Sequence, residues 1–163
     1  MPPAIAELWD RRPLNLYRVI AHANTAAPGF LSLGRALLTE SDLDPKLREL
    51  VILRVGALSK ASYEIYQHKR VGQSVGLSEE EIGAALRERS DDCLTDLARL
   101  ILQFTESVVW EVKAPESLYA AVAKELTERQ MAELLLTIGF YMLVSRFLEN
   151  TEVGIETTSE KGG

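Results

Sequence analysis

The stretch DPKLRELVILRVGALSKASYEIYQHKRVGQSVG, residues 44–76, decides the fold of this chain. It predicts two consecutive α-helices joined near Ser59. Asp44 is a suitable N-cap for the first helix, because its carboxylate can accept a free backbone N–H at the positive helix end. Pro45 suits the first helical position, where its missing N–H costs nothing. Gly76 suits the end of the second helix, since glycine readily adopts the left-handed conformation that stops one.

Three side chains in this helical pair are candidates for acid–base chemistry. Glu49 interrupts a mostly apolar run, and removing a carboxylate from water is costly unless something compensates. Such surroundings can tune the proton affinity of a carboxylate for catalysis. Glu64 and His68 are four residues apart and therefore share one helix face.

Each of these candidates also has an ordinary structural interpretation. Glu49 would be the partner of a nearby cation, for instance Arg54 or Arg146. Glu64 and His68 would form a solvated pair on the helix surface, worth roughly a few tenths of a kcal/mol. The residues alone leave both interpretations open.

The same stretch resembles the core of the carboxymuconolactone decarboxylase family, whose superfamily includes proteins of the alkyl hydroperoxide reductase D (AhpD) type. The matching features are an Arg-Glu pair, a Tyr-Glu-x-x-x-His segment and a Gly-Leu turn before an acidic helix, at Arg48, Glu49, Tyr63, Glu64, His68, Gly76 and Leu77. Residues 134–149 resemble the last core helix of the family, so the resemblance extends from about Val19 to Val153. It implies an AhpD-like helical fold and assembly as a trimer or hexamer.

The resemblance also implies a role for each matching residue. Glu49 would orient His68 or share a proton with it, and His68 would be the proton shuttle. Glu64 would stand where redox members carry their attacking cysteine. Tyr63, which matches a histidine of some redox members, would donate a hydrogen bond to a substrate oxygen. The candidate catalytic residues are therefore these four.

The chain departs from the redox members of the superfamily at their Cys-x-x-Cys pair. The two cysteine positions are Ala61 and Glu64 here, and the single cysteine, Cys93, lies in a different segment. Thiol catalysis needs a thiolate and a resolving partner. This difference disfavours a disulfide-based peroxidase mechanism.

Composition and motif content narrow the possible ligands and the possible location of the protein. A net charge of -6 argues against nucleic-acid binding, which needs a basic surface. One cysteine excludes an internal disulfide and fits a reducing compartment. We find no membrane span, no secretory signal, no metal-ligand spacing and no phosphate-binding loop in the sequence. We therefore predict a cytoplasmic protein without metal or cofactor.

The rest of the chain shows helical periodicity and no sustained strand alternation. Ser78 with Glu81, and Thr127 with Gln130, form capping boxes that predict two further helix starts. We predict an all-α, single-domain bundle of about six to seven helices. Its parts are an N-terminal arm over residues 1–12, the helical domain over 13–155 and a flexible tail over 156–163. The last helix is apolar on several faces, which predicts subunit contacts.

Three functions follow as hypotheses. The first is a cofactor-free enzyme that acts on a small carboxylate or lactone, with His68 as general acid and Glu49 setting its tautomer. The second is an AhpD-like hydroperoxide-reducing protein, which would have to use Cys93. The third is a non-catalytic oligomeric binding protein. Fold alone does not choose among them, and the absence of the cysteine pair places the first ahead.

Overall fold

The computed structural model describes residues 3–156, and within that range the chain is helical with no β-strand. The α-helices are α1 (Pro3–Arg11), α2 (Asn15–Ile20), α3 (Ala27–Thr39), α4 (Pro45–Leu58), α5 (Ser62–Ser74), α6 (Glu79–Ala85), α7 (Asp96–Glu111), α8 (Glu116–Glu125) and α9 (Glu128–Asn150). A 3₁₀ turn spans Asp91–Cys93. The all-α prediction is confirmed, but α1, which lies in the segment predicted as an arm, contributes to a helix count above the predicted six to seven within the described range.

Helix α4 is the central element of the bundle. Its N-cap is Asp44, whose side chain accepts hydrogen bonds from the backbone N–H groups of Lys46 at 2.9 Å and Leu47 at 3.1 Å. Residues 48–56 of α4 are all buried. The helix packs against α5, α6, α7 and α9, so any polar side chain it carries must find its partners inside the protein.

The end of α5 is set by Gly76, as the sequence predicts. This residue has a φ of +93°, a region that L side chains rarely adopt. The backbone N–H of Leu77 then bonds to the carbonyl of Gly72 at 2.9 Å, which closes the turn. The predicted capping box of Ser78 and Glu81 follows and starts α6. This turn brings α6 back against α4.

Helix α9 packs against α4 and forms another wall of the hydrophobic core. The predicted capping box of Thr127 and Gln130 opens it. Its length and composition would allow it to cross a membrane, but half of its most apolar window is buried inside the protein. Ile138, Val144 and Leu148 lie in the main hydrophobic cluster. This is the pattern of a core helix, and its buried residues account for part of its apolar character.

The described residues of the predicted arm and tail contact the rest of the fold. The segment predicted as an arm contains α1, whose Ile5 is fully buried against Ile20 and Ala27. Leu8 and Trp9 of the same helix are only partly buried. Glu156, placed in the flexible tail, makes hydrogen bonds described below. Residues 157–163 of that tail lie outside the described residues.

Candidate active site

The innermost residue of the site is Glu49 on α4, which is 0% exposed. Its Oε2 lies 2.6 Å from Nδ1 of His68 on α5. Its Oε1 accepts a hydrogen bond from Nε of Arg48 at 3.0 Å. Each oxygen of the buried carboxylate therefore has its own partner, which offsets the cost of removing the charge from water.

The cations that we considered as partners of Glu49 lie elsewhere. Arg54 donates to the backbone carbonyl of Ala85 at 2.8 Å and pairs with Glu106. Arg146 donates to the carbonyl of Met142, within its own helix. The ion pair of Glu49 is made instead with its neighbour Arg48, because both side chains of this pair are buried on α4.

The second nitrogen of His68 faces a second carboxylate. Nε2 lies 3.0 Å from Oε1 of Glu64, one turn earlier on α5. The two residues are only 7% and 4% exposed, so the interpretation as a solvated surface pair is wrong. The ring of Tyr141 on α9 meets the imidazole edge-on, with centroids 5.0 Å apart. The imidazole is therefore fixed on three sides.

This arrangement favours the protonated imidazole. Burial alone would lower the pKa of His68, but the charge of Glu64 and the hydrogen bond to Glu49 outweigh it and raise the pKa to about 9. His68 is thus an imidazolium at neutral pH. The formal charges of Arg48, Glu49, Glu64 and His68 then sum to zero, which is why a buried cluster of four ionisable groups is tolerated.

Glu64 and His68 face a cavity of about 300 Å³ enclosed by α1, α2, α3, α5 and α9. Tyr63 and Gln67 line the same wall. Much of the remaining lining is apolar and aromatic, including Phe30, Leu38, Phe140, Tyr141 and Val144. Two arginines, Arg12 and Arg35, also line the cavity. A volume of this size accommodates a small organic molecule. Glu49 is set back behind the imidazole, in contact with His68 rather than with the cavity.

Tyr63, the fourth predicted site residue, donates from its hydroxyl to Oε1 of Glu156 at 2.5 Å. Burial, together with the hydrogen bond to Glu156 and its negative charge, raises the pKa of Tyr63 above its usual value. The phenol therefore keeps its proton at neutral pH. Gln67, one turn later, donates from Nε2 to the other oxygen of Glu156 at 2.7 Å.

Gln67 and Glu156 were missed by the sequence analysis. Gln67 had a signal, because it lies four residues after Tyr63 and so shares its helix face. Glu156 had none, since it is separated from Gln67 by 89 residues and belongs to no periodic segment. Only tertiary packing brings these groups together.

Two other residues with reactive side chains, Cys93 and His22, do not line this cavity. Cys93 is exposed in the 3₁₀ turn, and His22 is exposed after α2. Ala61, at the position of the first redox cysteine, is fully buried at the N-cap of α5. Among the residues that the structure describes, no three His, Cys, Asp or Glu side chains are grouped as ligands for a metal ion.

Solved structures of three bacterial proteins share this fold. A protein of unknown function from Agrobacterium tumefaciens, a candidate antioxidant defence protein AhpD, is 16% identical with a TM-score of 0.77, and the match covers 85% of this chain and 95% of that one. An uncharacterised peroxidase-related protein with an alkylhydroperoxidase AhpD core, from Ralstonia eutropha, is 17% identical with a TM-score of 0.80, over 96% and 84% of the two chains. A peroxidase-related protein from Silicibacter is 16% identical with a TM-score of 0.71, over 83% and 72%. At these identities the similarity shows the AhpD-like fold.

Sequence comparison identifies the family. No curated protein matches the chain. The sequence profile of the carboxymuconolactone decarboxylase family matches residues 25–107. That range holds more than half of the chain and includes α3 to α5, with Glu49, Glu64 and His68. The chain therefore belongs to the carboxymuconolactone decarboxylase family.

Proposed function

We propose that this protein is a cofactor-free enzyme that performs Glu/His acid–base chemistry on a small carboxylate or lactone, as a carboxy-lyase. The observation that carries this proposal is the position of His68, held between a buried carboxylate, Glu49, and a cavity-facing one, Glu64. A histidine held in this way can deliver the proton on Nε2 to Glu64 while Glu49 holds Nδ1. A relay of this kind suits general acid–base catalysis.

The proposed reaction is decarboxylation next to an activated carbonyl. The bond between the carboxylate carbon and the α-carbon breaks, carbon dioxide leaves, and the bonding electrons form an enolate. The proton on Nε2 of His68 crosses the 3.0 Å gap to Oε1 of Glu64, and Glu64 passes it to the enolate carbon. Solvent then restores the proton. Glu49 acts as a positioning residue, since it holds Nδ1 and leaves Nε2 to exchange protons.

The electrostatics of the site support an anionic substrate. A free carboxylate at Glu64 would repel one, but the imidazolium of His68 compensates that charge. Arg12 lines the cavity and adds a positive charge, which favours the entry of an anion. The charge of Arg35, which also lines the cavity, is paired with Glu40 at 2.6 Å. Tyr63 supplies a protonated hydroxyl on the same wall, suited to a substrate oxygen or a developing oxyanion.

The chemistry of the chain supports this proposal over thiol-dependent peroxide reduction, although its fold relatives include peroxidase-related proteins. A thiol mechanism needs a thiolate at the site and a second thiol to resolve it. The corresponding positions hold Ala61 and Glu64, and Cys93 is not among the cavity-lining residues. Oxidising Cys93 with peroxide should therefore leave the turnover of a lactone or keto acid substrate unchanged.

The test is release of carbon dioxide from a panel of small lactones and β-keto acids. For a substrate that turns over, His68→Gln should lower kcat by about 100-fold or more, because the relay loses its proton carrier. Glu49→Gln should lower kcat less and should reduce the pKa of the basic limb of the rate profile, where the general acid His68 loses its proton, since His68 loses one of its two carboxylates.

The matched control is His22→Gln, which removes an exposed histidine outside the cavity. Turnover of His22→Gln should equal that of the unmodified protein. Undiminished turnover in both the His68 and Glu49 variants would remove the relay from the mechanism. Binding of the panel without any release of carbon dioxide would favour the non-catalytic binding protein instead.

A further inference from the structure

The carboxylate of Glu156 accepts three hydrogen bonds from other parts of the chain, two of them from the cavity-lining residues Tyr63 and Gln67. Its Oε1 accepts from the hydroxyl of Tyr63 at 2.5 Å and from the backbone N–H of Asn15 at 2.7 Å. Its Oε2 accepts from Nε2 of Gln67 at 2.7 Å. The backbone is held as well, because Nδ2 of Asn15 donates to the carbonyl of Gly154 at 2.8 Å.

These donors form a built site rather than a chance surface contact. Tyr63 and Gln67 are buried, and both direct polar atoms to the same carboxylate. Arg12 donates to Oε1 of Gln67 at 3.1 Å, which fixes the amide so that its NH₂ group faces Glu156. Hydrogen bonds to an ionised acceptor are roughly twice as strong as neutral ones. Burial acts to raise the pKa of Glu156, but these hydrogen bonds outweigh it and hold the pKa below its usual value.

The same donors adjoin the proton relay. Tyr63 immediately precedes Glu64, and Gln67 immediately precedes His68, so the two pairs occupy neighbouring strips of α5. All four side chains line one cavity. A small molecule whose carboxylate sits between Tyr63 and Gln67 therefore places its other atoms against the relay.

We propose that the Tyr63 hydroxyl, the Gln67 amide and the Asn15 N–H form the carboxylate subsite for the substrate, and that Glu156 occupies it as an intramolecular competitor. The catalytic meaning of the subsite rests on the function proposed above. The exchange is balanced, because one carboxylate replaces another and every buried donor keeps an acceptor. A neutral molecule without an oxygen acceptor pair cannot make this exchange.

The strength of this competition can be measured as a change in the apparent Kd of a carboxylate ligand. When a ligand needs a site that is free only part of the time, its apparent Kd rises by the inverse of that fraction. If Glu156 is docked for about nine-tenths of the time, its removal strengthens the binding of a carboxylate about tenfold. The removal of Glu156 does not change the affinity of ligands that do not use the subsite.

The experiment compares phenylacetate with its neutral amide, phenylacetamide, which have the same shape and suit the aromatic cavity walls. Calorimetric titration of Glu156→Ala should give a Kd for phenylacetate about tenfold lower than that of the unmodified protein. The Kd for phenylacetamide should stay the same. Adding Tyr63→Phe to Glu156→Ala should weaken the binding of phenylacetate by about fivefold or more, since one charge-assisted hydrogen-bond donor is lost.

The matched control is Glu152→Ala, which removes an exposed carboxylate four residues earlier and should leave both affinities unchanged. Thermal melting of each variant shows whether it is folded. The proposal is overturned if Glu156→Ala binds phenylacetate no more tightly than the unmodified protein, or does not bind it at all. It is also overturned if the affinity for phenylacetamide rises by the same factor as that for phenylacetate. Lower thermal stability without tighter binding would show that Glu156 only fastens the chain end.

These measurements need no turnover, so they separate the two proposals. Competition by Glu156 without carbon dioxide release from any substrate keeps the subsite and removes the reaction. Turnover that depends on His68, with no effect of Glu156→Ala on phenylacetate binding, keeps the reaction and removes the subsite.

Discussion

At the scale of single residues, the defining feature of this protein is an imidazole with a carboxylate at each nitrogen. Glu49 contacts Nδ1 of His68 at 2.6 Å, and Glu64 faces Nε2 at 3.0 Å. Tyr141 closes the side facing α9. Burial, together with the charges of Glu64 and Glu49, holds the pKa of the Tyr141 hydroxyl well above its usual value. Arg48 supplies the remaining positive charge through Glu49. These are the groups that decide how His68 titrates.

We predict that the free energy of unfolding falls as the pH rises from about 6.5 to about 9. The pKa of His68 is raised from 6.5 to about 9 in the folded protein, so the folded state binds a proton that the unfolded state has already lost in this range. The stabilisation is complete below the unfolded pKa and disappears above the folded one. Urea unfolding from pH 6 to pH 10 measures it.

The variant His68→Gln should lose this pH dependence, while His22→Gln should keep it. Nitrogen-15 NMR of the imidazole provides the direct readout of the titration. A midpoint near the ordinary histidine value would contradict the prediction, because it would mean that the two carboxylates do not hold the proton.

At the scale of elements, the site depends on how α4 and α5 are started and stopped. Asp44 begins α4, and the turn at Gly76 ends α5 and returns the chain to α4 through α6. Glu49 on α4 and His68 on α5 meet because these two helices pack side by side. Local turn chemistry therefore sets the geometry of the relay.

We predict that Gly76→Ala lowers the free energy of unfolding by about 1 kcal/mol or more, because alanine is strained at positive φ. Space is not the cause, since the nearest atom to an added Cβ is Cε of Lys46 at 3.5 Å. The matched control is Gly29→Ala in α3, where an added Cβ meets no heavy atom within 4 Å. This change should stabilise the helix by roughly 0.5–1 kcal/mol. Chemical denaturation compares the two, and equal effects would refute the backbone argument.

At the scale of the whole molecule, apolar surface remains on α9 after the chain has folded. Leu136 and Leu143 are each 52% exposed. They are seven residues apart, two helical turns, and so lie on one face of α9. Trp110 at the end of α7 is 64% exposed. Exposed apolar side chains grouped on one helix face favour contact with another protein surface.

We propose that the protein is a homo-oligomer, in which the face of α9 carrying Leu136 and Leu143 is covered by a second copy. The double variant Leu136→Glu, Leu143→Glu should lower the molecular mass measured by light scattering, because charged residues are depleted from the cores of interfaces. Lys124→Glu, an exposed substitution on α8, should leave the mass unchanged. A monomeric mass for the unmodified protein would contradict the proposal.

The sequence by itself determined the helices and the side chains that carry the chemistry. Asp44, Ser78 and Thr127 cap helices within three residues of their own positions, and Gly76 needs only its own φ, so these signals are local and readable. The spacing of Glu64 and His68 likewise follows from the helical repeat. The family resemblance then added Tyr63 and the pairing of Glu49 with His68.

Tertiary structure decided what those side chains touch. The sequence offered Arg54 or Arg146 as the cation beside Glu49, and packing gave that role to Arg48. The contact between Gln67 and Glu156 joins residues 89 positions apart, and nothing local encodes it. The physical reason is that capping and helical spacing depend on neighbours within about one turn. The protonation of the imidazole and the occupant of the subsite depend on burial and on charges that only the folded chain brings together.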